Sequence, residues 1–205
     1  SKPYQPWKNA LGEDTPSVCL KVPTGGGKTF LATRCIELIN LNYRRNRFGI
    51  VLWIVPSSQI YRDTLKALRN REHYYRQVLD RVSGGRTLVL EKNERFTPQQ
   101  VKESLIVMLL MLPSTNRQDK ETLKVFQDSS GFDAFFPPET NMSAQLDLIQ
   151  RFPNLNYFGD KGAWTGVSIK TSLGNTLRIL QPLIILDEGH KTYSELARQT
   201  LQAFN

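Results

Sequence analysis

The segment Pro23-Thr24-Gly25-Gly26-Gly27-Lys28-Thr29 joins three glycines to a cation and a hydroxyl, and it lies between an apolar stretch and one with helical periodicity. A loop that holds the β- and γ-phosphates of a nucleotide must turn its backbone N–H groups toward them. Glycine tolerates the positive-φ turns and the close approach this requires. The positive end of the following helix faces the same anions. Lys28 is placed to neutralise the phosphate oxygens, and the Thr29 hydroxyl to coordinate Mg²⁺. The alternative is a Gly-rich hairpin that merely ends in Lys-Thr. The change from strand pattern to helix pattern at this point favours the cradle. Val22 occupies the first position of the eight-residue pattern, where Gly is usual.

Such a loop works with a carboxylate at the end of a neighbouring buried strand and a base that orients water. Leu183-Ile184-Ile185-Leu186-Asp187-Glu188-Gly189-His190 offers both, with Asp187 lying 159 residues beyond Lys28. Asp187 closes the apolar run and is assigned to the metal, and Glu188 is assigned to the attacking water. A solvated turn would explain an isolated Asp-Glu pair, but four apolar residues in front argue for function. His190 is assigned to coupling between nucleotide state and a polynucleotide, since nothing nearby has metal-ligand spacing. His73 reads as a surface helix residue.

Around these residues the first half of the chain alternates short apolar runs with amphipathic ones, the signature of βα units and a parallel sheet. Strands are predicted at 17–23, 49–55, 86–91, 104–112 and 182–187. Helices are predicted from Lys28 to about Asn42, over 58–70 and 72–82, from Thr97-Pro98, and over 193–203. In the first helix Leu31, Cys35 and Leu38 share a face, with Ile36 and Ile39 beside it. Residues 113–170 are less regular, with helical pieces near 119–128 and 143–151. They read as a partly helical insertion on one edge of the sheet. Residues 1–205 are thus expected to form a single α/β domain.

Composition sets the limits. Forty per cent apolar residues suffice for a core without disulfides or metal staples. Lys and Arg number 27 against 19 Asp and Glu, a net charge of +8, which suits a polyanionic partner. Cys19 and Cys35 sit among apolar residues and read as buried free thiols of a reducing compartment rather than a bridge. The longest apolar run, Leu105 to Leu112, is far short of the ~20 residues of a membrane helix. No secretory signal opens the chain, so a cytoplasmic protein is expected, without a membrane partner. The start lacks Met, which points to a piece of something longer.

Residues 42–86 carry ten Lys/Arg and three acids. After the strand ending at Val55, Pro56, Ser57 and Ser58 offer backbone N–H groups at a helix start, a good place for a phosphate. Arg62, Lys66 and Arg69 follow on one face. Two readings stay open for that face, a phosphate-tracking surface and a solvated basic stripe. Tyr74-Tyr75 can stack on bases, although packing under a helix is favoured. Thr115 is a further candidate contact.

With these residues in view, the sequence resembles the superfamily 2 helicases and translocases. Thr24 to Thr29 resembles their motif I, Ile54-Val55-Pro56-Ser57-Ser58-Gln59 their motif Ia, and Asp187-Glu188-Gly189-His190 their motif II. Pro3-Tyr4-Gln5 is similar to the upstream segment whose Gln reads adenine. Ser172-Leu173-Gly174-Asn175-Thr176-Leu177-Arg178, leading into Gln181-Pro182 and the Asp-Glu-Gly-His motif, resembles the Res subunit of type III restriction enzymes and its relatives. The resemblance implies a three-layer, RecA-like P-loop NTPase domain, the first of two motor lobes. It implies ATP and Mg²⁺ as ligands, with Gln5 on adenine, Thr24 to Thr29 on phosphates, and Lys28, Asp187 and Glu188 as catalytic groups. It implies double-stranded DNA and a modification methyltransferase as partners in the bacterial cytosol. It also implies a second lobe and a nuclease domain elsewhere in the parent. A fragment lacking the second lobe is expected to turn over little ATP. Two other readings are carried: a superfamily 2 RNA or DNA-repair helicase, and a non-catalytic nucleotide-binding scaffold.

Overall fold

The computed structural model describes residues 6–9, 11–23, 25–111, 130–159 and 166–187. At its centre is a four-stranded, all-parallel sheet in the order β4-β5-β3-β8. β3 is Gly49–Val55, β4 Thr87–Glu91, β5 Leu105–Met111 and β8 Leu183–Leu186. Two small antiparallel hairpins flank it. They are β1 (Trp7–Lys8) with β2 (Asp14–Thr15), and β6 (Tyr157–Phe158) with β7 (Ser168–Ile169). The helices are α1 (Lys28–Leu38), α2 (Ser58–Arg69), α3 (Tyr74–Ser83), α4 (Pro98–Glu103), α5 (Met142–Arg151) and α6 (Leu173–Leu180). A π-helical turn, Ile39–Tyr43, extends α1.

Period-2 alternation makes two cores from one sheet. Ile50, Leu52, Ile54, Ile106, Met108 and Leu110 face a layer containing Phe132, Phe136, Ile149, Phe152, Leu173 and Leu177. Val51, Trp53, Val55, Leu105, Val107 and Leu109 face Ile36, Leu68, Leu79 and Val82, the layer of α1, α2 and α3. Both faces are covered, which is why β3 and β5 read as unbroken apolar runs. Each fully buried Ile, Leu or Val adds about 1.5–3 kcal/mol of burial.

Several expectations need correction. Residues 16–23 form no strand. Val18 is 78 % exposed and Leu20 53 %. Pro16 and Pro23 bracket the segment and withhold two ladder N–H groups, and among the described residues β8 pairs only with β3. Cys19 is therefore exposed rather than buried, and Cys35 is half-buried; both are free. On α1 the predicted face fails at Leu38, which is 53 % exposed, while Thr33, Ile36 and Glu37 are buried. Glu37 lies inside because Arg34 and Arg81 both pair with it.

The described part of 113–170 packs over a face of the sheet rather than along its edge. Of its predicted helical pieces, that near 143–151 is α5, while 119–128 lies outside the described residues, as does the terminal helix over 193–203. Helix α6 was not anticipated. Ser172 caps it, its Oγ accepting the Asn175 N–H at 3.2 Å. The buried Asn175 side chain donates to the carbonyls of Asn156 (2.6 Å) and Lys170 (2.8 Å) and accepts the Asn156 N–H (2.9 Å). The segment Ser172 to Arg178 is thus tied to the residues that flank the β6–β7 hairpin. Among the described residues, no helix is long and apolar enough to cross a membrane.

Candidate nucleotide site

The glycine loop makes a tight turn ahead of α1. Gly25 and Gly27 both have φ +78°, in the left-handed region that glycine occupies without strain. Gly26 N–H donates to Pro23 O at 3.0 Å, and Leu31 N–H to Gly27 O at 2.9 Å. Gly27 is the N-cap of α1 and brings no side-chain hydrogen bond to the helix start. Lys28 and Thr29 are the first two helical residues.

Across from the loop, β8 delivers Asp187. Its N–H donates to Ile54 O at 2.9 Å, which continues the β3–β8 ladder one residue past the strand. Leu183 and Ile185 point into the α1–α2–α3 layer, and Ile184 and Leu186 into the other. The next step of the alternation sends Asp187 to the side of the three helices, where it is 9 % exposed.

A cavity of about 250 Å³ lies at that junction, lined by Gly25, Gly27, Lys28, Thr29, Ile60, Tyr75 and Asp187. Lys28, Thr29 and Asp187, far apart in sequence, thus line one cavity. Gly26 is not part of the lining. Ile60 and Tyr75 are additions that no motif pointed to. Both were legible only as ordinary helix residues, because the packing of α2 and α3 beside α1 is what brings them in.

The lining reveals an electrostatic pattern. Lys28 and Thr29 stand in the first turn of α1, Ile60 in that of α2 and Tyr75 in that of α3. None of the three first turns contains an acidic residue. Three helix N-termini therefore converge on one cavity, each with about half a positive charge, next to the Lys28 ammonium. Such a space suits a multiply charged anion. Asp187, Thr29 and phosphate oxygens are all hard oxygen donors, the set that Mg²⁺ prefers. Among the described residues no three His, Cys, Asp or Glu side chains group to hold a metal. An ion there would draw most of its ligands from nucleotide and water.

Gln5, Thr24, Thr115, Glu188 and His190 lie outside the described residues. Pro56, Ser57 and Ser58 sit at the start of α2 as expected. Ser57 is the N-cap, its Oγ accepting the Ile60 N–H at 3.4 Å. On the basic face of α2, Arg62 is exposed and donates to Gln59 at 2.9 Å. Arg69 is tied instead to Glu91 (3.0 Å) and Glu94 (2.5 Å), so the stripe ends in an internal ion pair. His73 is not a plain surface residue: it caps α3, its Nδ1 accepting the Tyr75 N–H at 3.2 Å. Tyr74 stands against Phe30 of α1, with ring centroids 5.4 Å apart.

The sequence pattern of the family described as type III restriction enzyme, res subunit, matches residues 3–205. No curated protein and no solved structure matches the chain.

Proposed function

The chain belongs to the res-subunit family of type III restriction enzymes, whose domain is a helicase-like ATPase lobe, and from that premise we propose that it binds and hydrolyses ATP to drive a translocase on double-stranded DNA. The observation that carries this reading is the shared cavity of Lys28, Thr29 and Asp187 at three convergent helix starts.

In this reading the β- and γ-phosphates lie against the Gly25 to Lys28 backbone, and the Lys28 ammonium offsets their charge. Thr29 and Asp187 would hold Mg²⁺, which when bound would supply positive charge to the phosphate oxygens. Glu188, one residue past Asp187, is proposed as the base that orients water, with Gln5 on adenine, Thr24 beside the phosphates and His190 as the coupling residue. Pro56, Ser57, Ser58, Arg62 and Thr115 are proposed for the DNA backbone. A modification methyltransferase, a second motor lobe and a nuclease domain complete the proposed parent system in the bacterial cytosol.

The test is a titration with a fluorescent ATP analogue in the presence of Mg²⁺. Wild type is expected to bind, and Lys28→Ala to lose affinity at least about tenfold, the weight of a charge-assisted contact. Equal binding by both proteins would remove the cradle assignment and favour a non-catalytic scaffold. The helicase reading on RNA shares every ATP residue. Filter binding of duplex DNA, single strands and RNA by the complete parent separates the two.

A further inference from the structure

Tyr75 belongs to the cavity yet to none of the motifs that define it. We propose that Tyr75 is a specificity-determining residue whose hydroxyl donates to the outermost phosphate of a bound nucleoside triphosphate. This deepens the nucleotide reading above and rests on it. Tyr75 lines the cavity from α3, the third of the helices whose first turns make the cavity wall.

Its position is fixed from several sides. His73 Nδ1 accepts its backbone N–H at 3.2 Å, and the two rings meet edge to face at 4.5 Å. The next residue, Arg76, is buried and donates to Leu68 O (3.2 Å), Thr87 O (2.9 Å) and Asp80 (2.9 Å). The residue before it, Tyr74, leans on Phe30, the neighbour of Thr29. The first turns of α1 and α3 are therefore joined, and Tyr75 cannot drift from the loop independently. Among the described residues the Tyr75 hydroxyl has no hydrogen-bond partner, whereas its N–H and its ring are both engaged.

The chemistry follows from what the other groups occupy. Backbone N–H groups of the loop and Lys28 reach the β- and γ-phosphates from the start of α1. The outermost phosphate carries three non-bridging oxygens, so it still has an acceptor for a donor that comes from another element of the lining, Tyr75 of α3. A phenol is a neutral donor, so it can bind phosphate oxygen without repelling a cation held by Asp187. Ile60 beside it supplies an apolar wall that keeps the bond dry and therefore strong. A diphosphate lacks the group that Tyr75 would meet.

The experiment compares Kd for ATP and for ADP, each with Mg²⁺, in wild type, Tyr75→Phe and Lys28→Ala. Tyr75→Phe keeps the ring and its contacts. It is expected to weaken ATP about tenfold while leaving ADP unchanged, so the ATP/ADP preference collapses. The extra thermal stabilisation that ATP gives over ADP should vanish in the same variant, with the ligand-free melting temperature unchanged. An unchanged ATP/ADP ratio, whether both affinities fall or neither does, overturns the role of Tyr75. Failure of wild type to bind either nucleotide, or binding by Lys28→Ala equal to wild type, overturns the underlying site assignment instead.

Discussion

At Gly26 the loop has no room for a side chain. A Cβ built there would come within 2.8 Å of Val22 Cγ1 and 3.0 Å of Pro23 O. Gly26 itself is exposed and outside the cavity lining, so the absence of a side chain lets the loop close, and its backbone is the part offered to phosphate. Gly26→Ala is expected to lower nucleotide affinity about tenfold with the melting temperature nearly unchanged, because the strain falls on an exposed turn. Calorimetric titration beside a thermal melt checks this. An unaltered affinity would mean the loop closes in another way. Val22, at the position where glycine is usual, is one wall of that confinement. The loop, Lys28 and Asp187 were all legible in the sequence because their chemistry is written in residue type. Ile60 and Tyr75 were not, because nothing but helix packing brings them into the cavity of the glycine loop.

Among the elements, α2 is tethered to the end of β4 by a small network. The Tyr61 hydroxyl donates to Glu91 at 2.8 Å, and Arg69 reaches both Glu91 and Glu94. Burial first, and then the bond to Glu91 and its negative charge, hold the Tyr61 phenol above its usual range. The folded state thus keeps a proton that the unfolded chain gives up near pH 10. Stability from this group is complete below about pH 10 and is lost as pH rises beyond it. Urea unfolding at about pH 9 and pH 11 should show wild type losing more stability than Tyr61→Phe; equal losses would contradict the assignment. This network also explains why the basic face of α2 could be read two ways from sequence. Spacing put Arg62, Lys66 and Arg69 together, but the acids that claim Arg69 lie 22 and 25 residues further on. Helix ends were more legible where a cap marks them. At α4, Thr97 accepts the Gln100 N–H at 3.2 Å and Gln100 returns to the Thr97 N–H at 2.9 Å, a capping box visible in the sequence. At α6 the Ser172 cap was equally present, yet the segment between apolar strands read as a motif rather than a helix.

For the whole molecule, alternation within the sheet settles more than composition does. Strands β3, β4 and β5 begin level, Gly49 and Thr87 both pairing with Leu105, and all four strands point toward the cavity. Arg47, Arg86 and the loop between β3 and the π turn gather at the opposite end, about 20 Å away by strand length. The net charge of +8 predicts that duplex DNA binding by the chain falls about tenfold or more between about 50 and 200 mM salt. Fluorescence anisotropy at several salt concentrations measures this, and a flat response would argue against phosphate contacts. The parallel sheet and its two layers were legible because both-sided burial leaves continuous apolar runs. The failure at 17–23 has the same root. An apolar run bounded by two prolines looks like a strand, but the ladder depends on a neighbour that local composition does not specify.

The route by which Asp187 reaches its place makes its aim a matter of counting. Since its backbone simply continues the ladder beside Ile54, parity along β8 chooses which layer receives the carboxylate. Exchanging Ile184 for valine leaves that parity intact, while excising Ile184 would turn the acid toward Phe132 and Leu177 and away from Lys28. Insertions and deletions in these four residues are therefore far more dangerous to the ATPase than changes of identity among them.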